Sequence, residues 1–129
     1  MTPERMREVM TAMTDIGIAV PPMSSQRGRT LFVNRGCVAC HQVNGVGGTI
    51  GPSLNAEDMP SPMNAFEFAA RMWRGAPAMI ELQEDLMGQT IMLTGQELAD
   101  IVSFAHDAEE QARLTDSQVP DRFRALIGD

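Results

Sequence analysis

Apolar residues recur at helical spacing through most of the chain. Met6, Val9, Met10, Met13 and Ile16 share one face of a helix expected over 3–17, with Thr2 as its cap and Pro3 in its first turn. That stripe predicts core packing. "AVPPMSS" (19–25) breaks the pattern and reads as a linker. A second helix is expected over 25–34, with Leu31 and Phe32 turned inward. "QVNGVGGTIGPSLN" then excludes regular helix by its four glycines and one proline, and predicts an extended loop. Asn64, with Glu67 three residues later, caps a helix over 64–74. "GAPAM" is expected to interrupt it, with Pro77 starting a further short helix through Met87. Thr94 and Glu97 make a capping box for 94–111, whose buried stripe is Leu98, Ile101, Val102 and Ala105. A last helix is expected over 117–127, with Val119, Phe123, Leu126 and Ile127 apolar. Strand signals are nearly absent, so the expected fold class is all-α.

Composition narrows what such a fold can do. A chain of 129 residues suits one domain, and 43% hydrophobic residues suffice for a core. Aromatic residues are only 5%, tyrosine is absent, and there are 11 methionines. Such a core is soft unless something large and flat fills its centre. A bound cofactor and a cofactor-free amphipathic core both satisfy that composition. The net charge is -7 and every basic side chain is arginine, which excludes a nucleic-acid role and predicts that partners docked by charge present basic surfaces. No apolar run has the length of a membrane span, and "MTPERMREVM" is not a secretory leader. That leaves a cytosolic protein, or one whose signal or anchor is absent from this chain.

The chemistry concentrates in "CVACH", Cys37 to His41. Its two thiols are the only cysteines, and His41 has only His106 as a fellow histidine. Structural zinc wants four nitrogen or sulfur ligands, and His41 directly after Cys40 is badly spaced to join both thiols on one ion. A thioredoxin-type dithiol needs a strand-to-helix setting that the pattern lacks. A structural disulfide has no use for the histidine. Covalent haem uses all three residues. The thiols add to the two vinyl groups of one porphyrin, one turn of backbone reaches both, and the imidazole turns to the iron. The expected cofactor is one covalent haem c per chain, held by Cys37, Cys40 and His41.

Three further stretches resemble class I c-type cytochromes. "GPSL" follows the motif, and in that family a proline so placed offers its carbonyl to the ligand histidine, a role that falls on Pro52. "SQRGRTLFVNRGCVACH" and "LTGQELADIVSFA" are similar to the family's crossing first and last helices, with Gly28 allowing close contact and Phe32 and Phe104 packing there. "RMWRGAPAM" resembles the M-W-N-H-A-P-x-M segment of a bacterial monohaem subset. Arg74 and Gly75 replace that segment's Asn and His, so no role of that histidine carries over. The likeness covers about 25–107 of a single domain 1–129, leaving 1–23 and 108–129 as helical extensions that either wrap the core or meet a partner.

The resemblance implies the class I cytochrome c fold and a methionine opposite His41. Met79 is the first choice because "APAM" matches; Met87, Met92 and His106 remain alternatives. Trp73, Ile50, Leu54 and Ile91 are expected to line the pocket, and Arg71 or Arg74 to face a propionate. The implied function is one-electron transfer between redox proteins, without enzymatic chemistry on a substrate. Such partners, a membrane-bound oxidase or dehydrogenase among them, would sit with this chain in the bacterial periplasm. The alternatives are a haem domain or subunit of a larger redox enzyme, and a gas sensor with a weak sixth ligand.

Overall fold

Ser24 fixes the start of the packing frame. Its hydroxyl accepts the Arg27 N–H at 3.2 Å and caps α2 (Ser25–Asn34). The computed structural model describes residues 1–16 and 22–127, and α2 is the second of its six α-helices. The others are α1 (Pro3–Asp15), α3 (Ala65–Met87), α4 (Gly95–Ala105), α5 (Ala108–Gln111) and α6 (Asp121–Ile127). Between α2 and α3 lie a 3₁₀ turn (Cys37–Ala39), a short antiparallel hairpin of β1 (Gln42–Val43) and β2 (Val46–Gly47), and a second 3₁₀ turn (Ala56–Asp58). The architecture is all-α, as the sequence pattern predicts.

α2 and α4 form the central crossing. A side chain at Gly28 would collide with the Asp100 carbonyl and with Cβ of Phe104, so only glycine lets the two backbones approach this closely. Beside it Phe32 and Phe104 stack with ring centroids 5.4 Å apart, a separation that favours aromatic pairs. The same crossing buries the Asp100 carboxylate, 2% exposed. It is fully paired: Arg27 donates two bonds at 2.8 and 3.2 Å, the Ser24 N–H one at 2.9 Å and Gln96 one at 3.0 Å. A buried carboxylate is tolerable only when satisfied in this way.

The capping boxes behave as their sequences predict. Thr94 accepts from the Glu97 N–H at 3.1 Å while Glu97 accepts from the Thr94 N–H at 2.9 Å, which starts α4. Asn64 accepts the Glu67 N–H at 3.0 Å and starts α3. α4 ends earlier than expected. Asp107 takes an extended conformation and accepts the Glu110 N–H at 3.0 Å, so it caps the new helix α5 instead of continuing α4. Pro120 likewise divides the expected last helix into a 3₁₀ turn (Asp116–Gln118) and α6.

Two further expectations fail. "GAPAM" does not interrupt α3, which runs unbroken to the left-handed Gly88. Pro77 is exposed, so the Trp73 carbonyl that it deprives of a helical donor faces water, which removes much of the penalty. Of the stripe of α1, Met6, Met10 and Ile16 are exposed and Val9 and Met13 half-buried, and among the described residues none of them belongs to either buried cluster. The linker expected over 19–25 falls partly outside the described residues.

The C-terminal extension does wrap the core. Leu114, Val119 and Phe123 are buried with Phe32, Val33, Val38, Ala39, Val43 and Phe104. They thereby cover the back of the Cys37–Ala39 turn.

Candidate cofactor site

Gly36 ends α2 with φ +98, a left-handed turn that drops the chain into the 3₁₀ turn of Cys37–Ala39. Residues three apart eclipse in a 3₁₀ helix, so Cys37 and Cys40 present their thiols on one side. The Cys40 N–H and the His41 N–H both bond the Cys37 carbonyl, at 3.3 and 3.0 Å. Val38 and Ala39 point the other way, into the buried cluster. The motif is thus a wedge with an apolar back and a chemical front.

The next ten residues form a cradle behind that front. The expected extended loop contains a hairpin whose turn is Asn44-Gly45, at φ +51 and +85. Both residues lie in the left-handed region, as a two-residue turn between twisted strands requires. "VNGV" carries that signal in the sequence, and the expectation of a plain loop missed it. Side chains at Gly47 and Gly48 would strike the carbonyls of His41 and Ala39. These glycines therefore let the returning chain lie flat against the motif.

The returning loop holds the imidazole. Gly51 N–H donates to the Cys40 carbonyl at 2.8 Å, and a Cβ on Gly51 would sit 2.6 Å from His41 Cε1. One residue on, the Pro52 carbonyl lies 2.7 Å from His41 Nδ1. A carbonyl oxygen can only accept, so Nδ1 carries the proton and donates. In the neutral ring this leaves the Nε2 lone pair free, the state a metal ligand needs. Cys37, Cys40, His41 and Pro52 are thus brought together.

Cys37 and Cys40 are not joined in a disulfide. Burial pushes the Cys37 thiol up to about 11, and burial also raises Cys40. A redox dithiol requires a lowered thiol, which this turn does not provide. Among the described residues, no three His, Cys, Asp or Glu side chains are grouped to hold a metal ion. Two thiols in one turn and an imidazole held through Nδ1 fit covalent haem.

A family model described as cytochrome c matches residues 25–109. The chain belongs to the cytochrome c family. No curated protein and no solved structure matches it. Membership carries haem-based electron transfer as the family chemistry and covalent haem c as its cofactor. In this cytochrome c chain, Cys37, Cys40 and His41 are the residues that would hold the group.

The methionine candidates for the second iron ligand lie on or just after α3, and His106 lies at the end of α4. Met79 is half-buried on its inner face, with Phe68, Met72, Gly75 and Ala76. A Cβ on Gly75 would meet only the Met79 sulfur, at 3.9 Å. The helix face presents Met79, not a break at Pro77. Met87 is committed elsewhere: its methyl packs over Gly36 and it adjoins the cluster of Phe123. Met92 is 77% exposed, its backbone carbonyl accepting from Arg35 at 2.7 Å. His106 ends α4, and its Nδ1 donates to the Val102 carbonyl at 2.7 Å.

Of the residues expected to line the pocket, Trp73 is 80% exposed and lies about 120° around the helix from Met79. Ile50 is exposed as well. Leu54 does pack against both buried clusters. Ile91 lies in a separate cleft of about 380 Å³ with Arg35, Met87 and Phe123, which contains neither thiol nor His41. Arg71 and Arg74 are exposed and pair with Glu67, at 3.2 and 3.6 Å. Sequence reasoning also passed over Gly48, Gly51 and Gln111, the last a buried amide with no motif to announce it.

Proposed function

We propose that this chain is a one-electron carrier with a single haem c, held covalently by Cys37 and Cys40 and ligated by His41 and Met79. When bound, that group supplies an iron that alternates between ferrous and ferric states. The observation that carries the reading is the 2.7 Å bond from His41 Nδ1 to the Pro52 carbonyl, beside two same-sided thiols. It fixes the tautomer, aims Nε2 away from the loop and makes the imidazole a stronger donor. Met79, a neutral thioether, favours the reduced state relative to a second imidazole. The chain's own work is to hold these ligands still and exclude water, so that little rearranges when the electron moves.

The proposed partners are redox proteins with basic docking surfaces, a membrane-bound oxidase or dehydrogenase among them. Support comes from the net charge of -7 and from exposed Glu81, Glu84 and Asp85, which follow Met79 on α3. Among the described residues no helix is long and apolar enough to cross a membrane. The proposed location is the bacterial periplasm, where c haem is installed.

The test is the visible spectrum of matured protein. A carrier gives a low-spin ferric form with a methionine-to-iron band and resists carbon monoxide when reduced. A high-spin ferric form that binds carbon monoxide rapidly refutes the carrier reading and favours a sensor.

A further inference from the structure

Gln111 is the last residue of α5 and is 1% exposed. Its amide is used at both ends. Oε1 accepts the Ala56 N–H at 2.9 Å, while Nε2 donates to the carbonyls of Leu54, Phe104 and Ala105 at 2.8, 3.1 and 3.3 Å. Phe104 and Ala105 are the final residues of α4, beyond its regular helical donors, and besides Gln111 the Phe104 carbonyl accepts the Asp107 N–H at 3.2 Å. One side chain therefore closes the end of α4 and grips the segment from Leu54 to Ala56. An amide buried here without partners would be costly, so those bonds are what retain it.

That segment is the continuation of the loop that orients His41. On its inner edge the loop is tied to the motif and hairpin: Gly51 N–H to Cys40 at 2.8 Å, Leu54 N–H to Gln42 at 2.9 Å, and Asn44 N–H to the Asn55 side chain at 2.7 Å. The hairpin has only two residues per strand and is a weak anchor alone. Gln111 supplies the outer tie, to the helical frame. Its own place is fixed from α2: Ser25 donates to Asp107 at 2.6 Å, and Arg29 pairs with Glu110 at 3.1 Å. Gln111 lies beyond residue 109, where the family match ends, so this tie comes from the C-terminal extension.

We propose that Gln111 is a positioning residue for His41: by clamping Leu54–Ala56 it holds the Pro52 carbonyl where the imidazole Nδ1–H meets it. The proposal rests on the reading of His41 as a haem ligand. The residue never touches the cofactor. It acts through two residues of loop on the bond that sets the ring's orientation and donor strength.

The test uses matured holoprotein whose bound haem has first been confirmed by mass, so that failure of the haem reading shows before Gln111 is changed. In the reduced low-spin protein, exchange of the His41 Nδ1 proton is followed by NMR, with the reduction potential. Gln111→Met keeps the volume and removes every side-chain bond. Ile101→Ala, at a buried site of α4 outside both clusters that Leu54 joins, is the control for general destabilisation. Compared at matched global stability, Gln111→Met should speed Nδ1 exchange about fivefold, the effect of losing one ordinary hydrogen bond, and should shift the potential. Ile101→Ala should do neither. Equal effects of the two variants, or none from Gln111→Met, overturn the proposal. If Gln111→Met does not fold, the wild type decides. The His41 Nδ1 proton and the Ala56 N–H should share one protection factor, below that of the Phe32 amide. Any other ordering overturns the proposal.

Discussion

Substituting Gly51 by alanine should disturb His41 directly. The new methyl would lie 2.6 Å from Cε1 and 2.8 Å from Nδ1, where ordinary contact begins at 3.4 Å. Relief therefore needs a shift of about 0.8 Å, the difference between 3.4 and 2.6 Å. Two movements can supply it. The ring can turn, or the loop can back away, and Pro52 is the next residue in that loop. Either lengthens the 2.7 Å bond from Nδ1 to the Pro52 carbonyl. Overpacking of this kind costs about 1–3 kcal/mol, and the weakened bond about 0.5–1.5 kcal/mol. Alanine returns about 0.4–1 kcal/mol by restricting the unfolded chain. The expected net loss is about 0.5–4 kcal/mol, read from guanidinium unfolding of the matured protein, with a shifted His41 Nδ1 proton by NMR. Gly95→Ala is the contrast: nothing lies within 4 Å of its added methyl, and stability should hold or rise. If Gly51→Ala unfolds within about 0.5 kcal/mol of wild type, the usual scatter of neutral substitutions, and the Nδ1 proton does not move, the cradle does not constrain the ring.

Asp100→Asn should cost about 1.5–3 kcal/mol by removing charge-assisted bonds, measured by urea unfolding. Burial pushes the Asp100 carboxyl up, but bonds from Arg27, Ser24 N–H and Gln96 outweigh it and hold the group below the usual carboxylate range. Its contribution is therefore present above the unfolded carboxylate pKa and lost as pH falls through the lower folded value. Asp100→Asn should flatten the acid limb of stability against pH, and an unchanged limb contradicts the assignment. Met79→Ala should give a high-spin ferric form and a lower potential, while Met87→Ala and Met92→Ala stay low-spin; the reverse result moves the ligand. Electron transfer with the physiological partner should slow as salt rises, because exposed charges reach only about 8 Å at physiological ionic strength. A rate flat in salt removes the electrostatic docking.

The sequence was most legible where a local signal had a single geometric meaning. Thr94 with Glu97, Asn64 with Glu67, and Gly28 between Phe32 and Phe104 each specify a cap or a close crossing within a few residues. The site was legible for the same reason: Cys37, Cys40 and His41 share one turn, and Pro52 follows in one loop. The misreadings arose where solvent or distant packing decided. Pro77 does not stop α3, because it sits on the exposed face of that helix. The stripe of α1 is amphipathic in sequence yet lies outside both buried clusters. Asp107 looked like an interior helix position until its side chain was seen capping α5. Gln111 bonds residues 55 and 57 positions away, a distance that no local pattern reveals.

The central claim is that Cys37 and Cys40 carry one haem. Its most direct test is the mass of the denatured protein after maturation in a host that assembles c-type cytochromes. The account predicts the polypeptide plus one haem, unchanged by acid-acetone extraction, and loss of that added mass when both Cys37 and Cys40 are replaced by alanine. A bare polypeptide mass from the wild-type chain would contradict it.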